Sequence, residues 1–141
     1  MLADVNKSFI CNSYNLGGLM ANIHESGENY LELILDISKT QKEVRSIDIA
    51  RRLGVSRASV SKALGVLREA GMVEPAYYGK VVLTKAGIER ASEVRKRHDL
   101  LCRYLTDILG VSKDTAEVDA CRMEHIVSEE VMCKIKDILK N

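Results

Sequence analysis

One stretch limits what this chain can fold into more than any other. Residues 46–64 read Ser-Ile-Asp-Ile-Ala-Arg-Arg-Leu-Gly-Val-Ser-Arg-Ala-Ser-Val-Ser-Lys-Ala-Leu. Ser46 is suited to capping a short helix, because a hydroxyl can accept from the free N–H groups of the first turn. Gly54 is suited to ending it, where the chain must turn left-handed at little steric cost. Ser56 is the cap expected for a second helix, in which Val60, Leu64 and Leu67 recur at i, i+4 and i+7 and so share an inward face. Arg57, Ser61, Lys62 and Arg68 are then expected on exposed surfaces.

Gly71 is expected to close the second helix. Two short strands are predicted after it, Val73–Tyr77 and Lys80–Leu83, joined by Tyr78-Gly79. Helix, turn, helix and hairpin in this order make a winged helix-turn-helix. Its second helix fits the major groove and offers short polar and basic side chains to bases and phosphates. The candidate DNA contacts are Ser56, Arg57, Ala58, Ser59 and Lys62, with Lys80 at the hairpin tip for flanking backbone. Winged helices also serve in protein–protein contacts, so the motif alone leaves that reading open.

Charge follows the same plan. Residues 42–85 carry nine Lys/Arg and four Asp/Glu, whereas residues 1–41 and 111–141 are net acidic. A basic middle fits a surface facing a polyanion, although solvated helix faces produce such asymmetry too. The rest of the chain is expected to be helical. Apolar residues make up 46% of it, aromatics only 4%, and Pro75 is the single proline. Helices are predicted at about 27–39, from a Thr84 cap to about Leu109 before Gly110, near 112–119, near 119–126, and from Ser128 to Lys140. The fold class is thus mainly α. The predicted layout is an N-terminal arm (1–24), a winged helix-turn-helix DNA-binding domain (25–90), and an all-helical metal-binding and dimerisation domain (91–141). No stretch has the length of a membrane span, and the start lacks a signal-peptide pattern. Cys11, Cys102, Cys121 and Cys133 are scattered, unlike the disulfide framework of a secreted miniprotein. A cytoplasmic protein is expected.

The second informative phrase is Asp119-Ala120-Cys121-Arg122-Met123-Glu124-His125. On a helix, Cys121, Glu124 and His125 project a thiol, a carboxylate and an imidazole to one side. Such a mixed set suits first-row transition metals better than Mg or Ca. His98 and Cys102 lie at i, i+4 on the long helix, and Glu32 on the first helix could add a bridging carboxylate. Each residue also has an ordinary explanation, since a helical Cys is usually a small core residue and Glu-His pairs are common on solvated faces. Two other readings stay open. One is a metal-independent winged-helix regulator sensing thiol oxidation through Cys121 or Cys102, with neighbouring cations lowering a thiol pKa. The other is a hydrolase with Cys121 as nucleophile, which fares poorly because no oxyanion-hole loop is evident; no enzyme is expected.

Five motifs recur in one order: Glu28-Asn29-Tyr30-Leu31-Glu32, the helix-turn-helix, Val82-Leu83-Thr84-x-x-Gly87, Arg97-His98-x-Leu100-Leu101, and Ala120-Cys121-Arg122-x-Glu124-His125-x-x-Ser128. Together they resemble the diphtheria-toxin-repressor family of metal-dependent regulators, which includes the manganese transport regulators. The similarity runs from about Gly27 to Lys140. It implies that Cys121, Glu124, His125 and His98 are metal ligands. Glu32 falls where the manganese branch has a bridging Glu, and Glu117 where the iron branch has an accessory-site His. Cys121 is the iron branch's residue type at a position where the manganese branch has Glu, so the site is a hybrid. Two positions depart from the pattern. Asn29 stands where the family has Asp or Met, and Cys102 where the iron branch has an accessory-site Glu. The layout expected is that of the compact, two-domain members without the SH3-like domain. The resemblance implies a homodimeric repressor that binds a palindromic double-stranded operator when Fe(II) or Mn(II) is bound. Zn(II), Co(II) or Ni(II) would act as surrogates. With ligands on helices of both domains, metal would favour one spacing of the two DNA-reading heads.

Overall fold

The computed structural model describes residues 25–141; the predicted N-terminal arm lies outside them. Among the described residues, six α-helices run in chain order: α1 Glu25–Thr40, α2 Ser46–Leu53, α3 Arg57–Glu69, α4 Lys85–Arg103, α5 Lys113–Ile126 and α6 Glu129–Lys140. A π-helical turn, Tyr104–Ile108, continues α4. The chain divides into two compact units, with the boundary inside α4 between Glu93 and Val94.

The N-terminal unit is built on an apolar stripe from each of its helices. Leu31, Ile34 and Ile37 of α1 are buried with Ile49 of α2 and with Val60, Leu64 and Leu67 of α3. The inward face predicted for α3 is therefore the face that is buried. Ser56 caps α3 as expected, its hydroxyl accepting from the Ser59 amide at 3.1 Å. Gly54 takes the left-handed conformation, φ 66°, at the end of α2. The cap of α2 differs from expectation. Arg45 is the N-cap and Ser46 the first helical residue, and the Asp48 carboxylate accepts from the Arg45 amide at 3.0 Å. An acidic side chain in the first turn performs the capping expected of Ser46.

The hairpin that follows also differs. No continuous strands form among the described residues. Val73 pairs with Leu83 and Tyr77 with Lys80 as isolated bridges, and the Glu74 amide donates to Val82 O at 2.8 Å. Pro75 has no N–H to give to a ladder, so pairing stops on either side of it. The tip is as expected, with positive φ at both Tyr78 (49°) and Gly79 (71°), the requirement of a tight primed turn. Arg68 is not a free surface cation; its Nε donates to Glu74 O at 3.2 Å and braces the hairpin.

Thr84 opens α4, its hydroxyl accepting from the Gly87 amide at 3.1 Å and donating to Gly71 O at 2.6 Å. A side chain at Gly87 would run into the Met72 carbonyl, which explains the glycine in the Val82-Leu83-Thr84-x-x-Gly87 motif.

In the C-terminal unit, Leu101, Ala120, Met132 and Ile135 form the buried centre. The predicted break near residue 119 is absent. Residues 113–126 are one helix, capped by Ser112, whose hydroxyl accepts from the Thr115 amide at 3.4 Å. No Gly or Pro occurs in this span, so nothing interrupts its hydrogen-bond ladder. Glu117 and the Cys121–His125 phrase consequently ride on a single rigid element. Ser128 caps α6 as predicted. Cys102 and Cys121 are not in disulfides, whereas Cys133 is disulfide-bonded, which its spacing did not announce. No helix among the described residues is long and apolar enough to cross a membrane.

Candidate metal centre and nucleic-acid surface

His98 is the hub of the C-terminal unit. It lies on α4, 4% exposed, and its ring faces α5. Nδ1 is 2.7 Å from Glu124 Oε2, and Nε2 is 2.9 Å from Glu117 Oε2. Glu117 and Glu124 are two helical turns apart on α5, so one face of that helix presents both carboxylates. The unbroken α5 makes this possible.

Two donor groups surround the ring. On the Nδ1 side, Glu124 Oε1 is also 3.2 Å from His125 Nε2, and the side chains of Glu124 and His125 are each 1% exposed. Cys121 Sγ lies 3.9 Å from His98 Nδ1. On the Nε2 side, Cys102 Sγ is 3.4 Å away, and single ligand atoms of His98, Cys102 and Glu117 fall within 4.8 Å of one another. The i, i+3, i+4 phrase thus converges with His98, and Cys102 and Glu117 converge on the ring's other nitrogen. Glu32 and Asn29 sit on α1 in the N-terminal unit, half-buried and exposed respectively.

These residues suit a divalent transition ion. A neutral imidazole has one N–H and cannot donate to carboxylates at both of its nitrogens. The second contact needs another proton or a cation between nitrogen and oxygen. Glu124 is a carboxylate buried deep in the unit, where charge requires compensation. The Cys102 thiol is pushed up to about 11, first by burial and then by the negative field of Glu117 and Asp99. Left alone it is a protonated thiol, and only a strong local positive charge makes it a thiolate ligand. For Cys102 this shift runs opposite to the lowered pKa that thiol-oxidation sensing would use. The Glu117 carboxyl is held below its usual range, chiefly by the hydrogen bond from His98.

Sequence reasoning missed Arg97. Its Nε donates to Glu124 O at 2.7 Å, its Nη2 to Val127 O, and its Nη1 pairs with Glu129 Oε2 at 3.2 Å. The only sequence signal was its place beside His98 in a family motif. Its partners lie some thirty residues away, beyond any local pattern.

In the N-terminal unit, Ser56, Arg57, Ala58, Ser59, Ser61 and Lys62 are all exposed at the start of α3. All of them are small or basic, whereas Val60 and Leu64 of the same helix are buried. Lys80 is engaged, its Nζ 2.7 Å from Glu43 Oε1. Tyr78 at the hairpin tip is 80% exposed.

Two family models match the chain in tandem. The iron dependent repressor N-terminal DNA binding domain matches residues 22–81, and the iron dependent repressor metal binding and dimerisation domain matches residues 84–141. Over 112 residues the chain is 41% identical to the transcriptional regulator MntR of Escherichia coli O6:H1, covering 79% of this chain and 72% of the relative. The chain belongs to the iron-dependent repressor family. Another member, the diphtheria toxin repressor of Corynebacterium diphtheriae, is 30% identical over 122 residues, covering 86% of this chain and 54% of that protein. A manganese-dependent transcriptional repressor in complex with manganese superposes with a TM-score of 0.72 at 32% identity, over 81% of this chain and 52% of that one. The manganese regulator SloR gives 0.70 at 26% identity, over 81% and 53%. The chain thus spans about half the length of these solved repressors. The family models divide DNA binding and metal binding between the chain's two halves as the sequence reading did.

Proposed function

We propose that this chain is a metal-responsive transcriptional repressor, acting as a cytoplasmic homodimer that binds a palindromic operator when a divalent ion is bound. The observation that carries the reading is His98, with a carboxylate and a thiol at each ring nitrogen and an additional imidazole, His125, on the Nδ1 side. Cys121, Glu124, His125 and His98 would hold one ion, with Cys102 and Glu117 offering donors for another on the far side of His98. By resemblance to the family, Glu32 and Asn29 are further candidate ligands. When bound, the ion supplies the positive charge that lets these anionic and neutral donors share one spot. The chain's own residues then do the reading: Ser56, Arg57, Ala58, Ser59 and Lys62 meet base edges and phosphates, and Lys80 meets flanking backbone.

Iron or manganese is the effector favoured by the kinship. The thiols Cys121 and Cys102 make the donor set softer than carboxylates would, which favours Fe(II), Co(II) and Zn(II) over Mn(II) at equal availability. Linkage ties metal to DNA: if metal tightens operator binding, the operator tightens metal binding by the same factor, typically ~1–3 kcal/mol. The test is an operator titration by fluorescence anisotropy with Fe(II), Mn(II), Zn(II) or Co(II) and with EDTA. The reading requires tighter binding with at least one metal. Equal affinity in EDTA removes the sensing role and leaves a plain DNA reader.

A further inference from the structure

The last turn of α5 carries Glu124 and His125, yet it is the end of a helix. Its final carbonyls have no helical N–H to accept from. The Val127 amide closes on Met123 O at 2.9 Å, and Val127 itself is extended, φ −67° and ψ 130°. Beyond that point the chain leaves the helix, and Arg97 donates to the carbonyls of both Glu124 and Val127. Nε reaches Glu124 O at 2.7 Å and Nη2 reaches Val127 O, while Nη1 is held by Glu129 Oε2 at 3.2 Å. The arrangement is nearly closed to water, with the Arg97 side chain 11% and the Glu129 side chain 25% exposed.

Adjacent residues of α4 therefore grip the same residue of α5 at its two ends. Arg97 takes the backbone of Glu124, and His98 takes its carboxylate at 2.7 Å. We infer that Arg97 is a positioning residue of the metal centre, fixing the α5 turn that carries Glu124 and His125 in register with His98. The inference rests on the metal-site reading above. A guanidinium suits this task because its rigid fork can serve two carbonyls and a carboxylate at once, where a lysine ammonium offers a compact point charge on a flexible stem. A cation at a helix C-terminus is also favoured by the helix dipole. Glu129, at the start of α6, holds the fork in place, so three helices meet at this one side chain.

The test compares the full-length wild type with Arg97→Gln, Arg97→Lys and Glu129→Gln. Co(II) is titrated by visible absorption, Mn(II) by the free-ion EPR signal, and metal-free melting is followed by circular dichroism. Groups that orient ligands typically change metal affinity ~10–100-fold when removed. Arg97→Gln is expected to weaken Co(II) and Mn(II) binding within that range and to alter the Co(II) ligand-field bands, with Arg97→Lys falling between it and wild type. A merely structural role would lower the melting temperature and leave affinity and spectrum alone, and that result overturns the inference. Should Arg97→Gln not fold, wild-type affinity and spectrum in both Arg97→Lys and Glu129→Gln would overturn it equally. Failure of the wild type to bind either ion would instead sink the metal-site reading itself.

Discussion

Replacing His98 by alanine tests the shared-ring geometry, because each of its nitrogens faces a different donor group. Without metal the substitution takes from Glu124, a 2% exposed residue, a contact of 2.7 Å. Stripping a partner from a buried polar group costs ~1–3 kcal/mol. The metal-free variant should therefore melt lower than wild type. The larger effect lies in the response to metal. An ion held at a free concentration 100 times its dissociation constant stabilises the folded state by ~2.7 kcal/mol. At roughly 3–5 °C per kcal/mol for a chain of this size, one occupied site raises the midpoint by about 8–14 °C. Thermal melts followed by circular dichroism, with Mn(II) or Co(II) and with EDTA, read this increment separately from the baseline loss. Wild type should show the full rise. His98→Ala should show almost none at the same free metal, since both donor groups lose their common nitrogen ligand. A variant that melts lower in EDTA but gains the same increment on metal addition would refute the argument that His98 is a ligand.

Other substitutions probe the frame. Gly87→Ala drives a Cβ into the Met72 carbonyl, and overpacking against backbone should cost ~1–3 kcal/mol, read as a shift in urea midpoint at unchanged m-value. Glu28 is 8% exposed and its Oε1 lies 3.1 Å from Arg90 Nη2. Glu28→Gln should destabilise by ~1–3 kcal/mol in denaturant melts, short of the cost at a fully buried pair, and Arg90→Met should be tolerated better in the Glu28→Gln background than alone. The Glu43 carboxyl is held below its usual 4.5, chiefly by its hydrogen bond from Lys80. A lowered folded-state pKa means this ion pair contributes fully above pH 4.5 and is lost as pH falls through the lowered value. NMR titration of the Glu43 carboxyl should give a midpoint below 4.5 that rises toward the ordinary value in Lys80→Met, with Arg45 still beside it, and an unchanged midpoint would contradict the pairing.

The parts of the molecule legible in the sequence were those governed by local rules. Gly54, the Ser56 cap and the Val60–Leu64–Leu67 stripe each depend on neighbours within a few residues, and each took its predicted place. So did the turn at Tyr78-Gly79. Errors arose where two local rules competed or where a partner was distant. Ser46 and Asp48 both could cap α2, and the carboxylate three residues on from Arg45 prevailed. The β-pattern of residues 73–83 suggested strands, but Pro75 withheld a donor and left bridges. The break expected near residue 119 had no Gly or Pro to enforce it, and the ladder of α5 ran through. At the site, spacing placed Cys121, Glu124 and His125 on one side of a helix but was silent on what they faced. Nor could it show that Glu117, a full turn from Cys121, would meet the opposite nitrogen of His98. The anchoring by Arg97 was invisible for the same reason: carbonyl groups occur at every residue, and only folding selects which ones an arginine meets.

The most direct test of the account is a crystal structure of the chain grown with Mn(II) or Co(II), with anomalous differences collected at the metal edge. The account predicts a strong peak beside His98 within bonding reach of Glu124 and His125, displaced by EDTA. A peak remote from His98, or none at saturating metal, would contradict it.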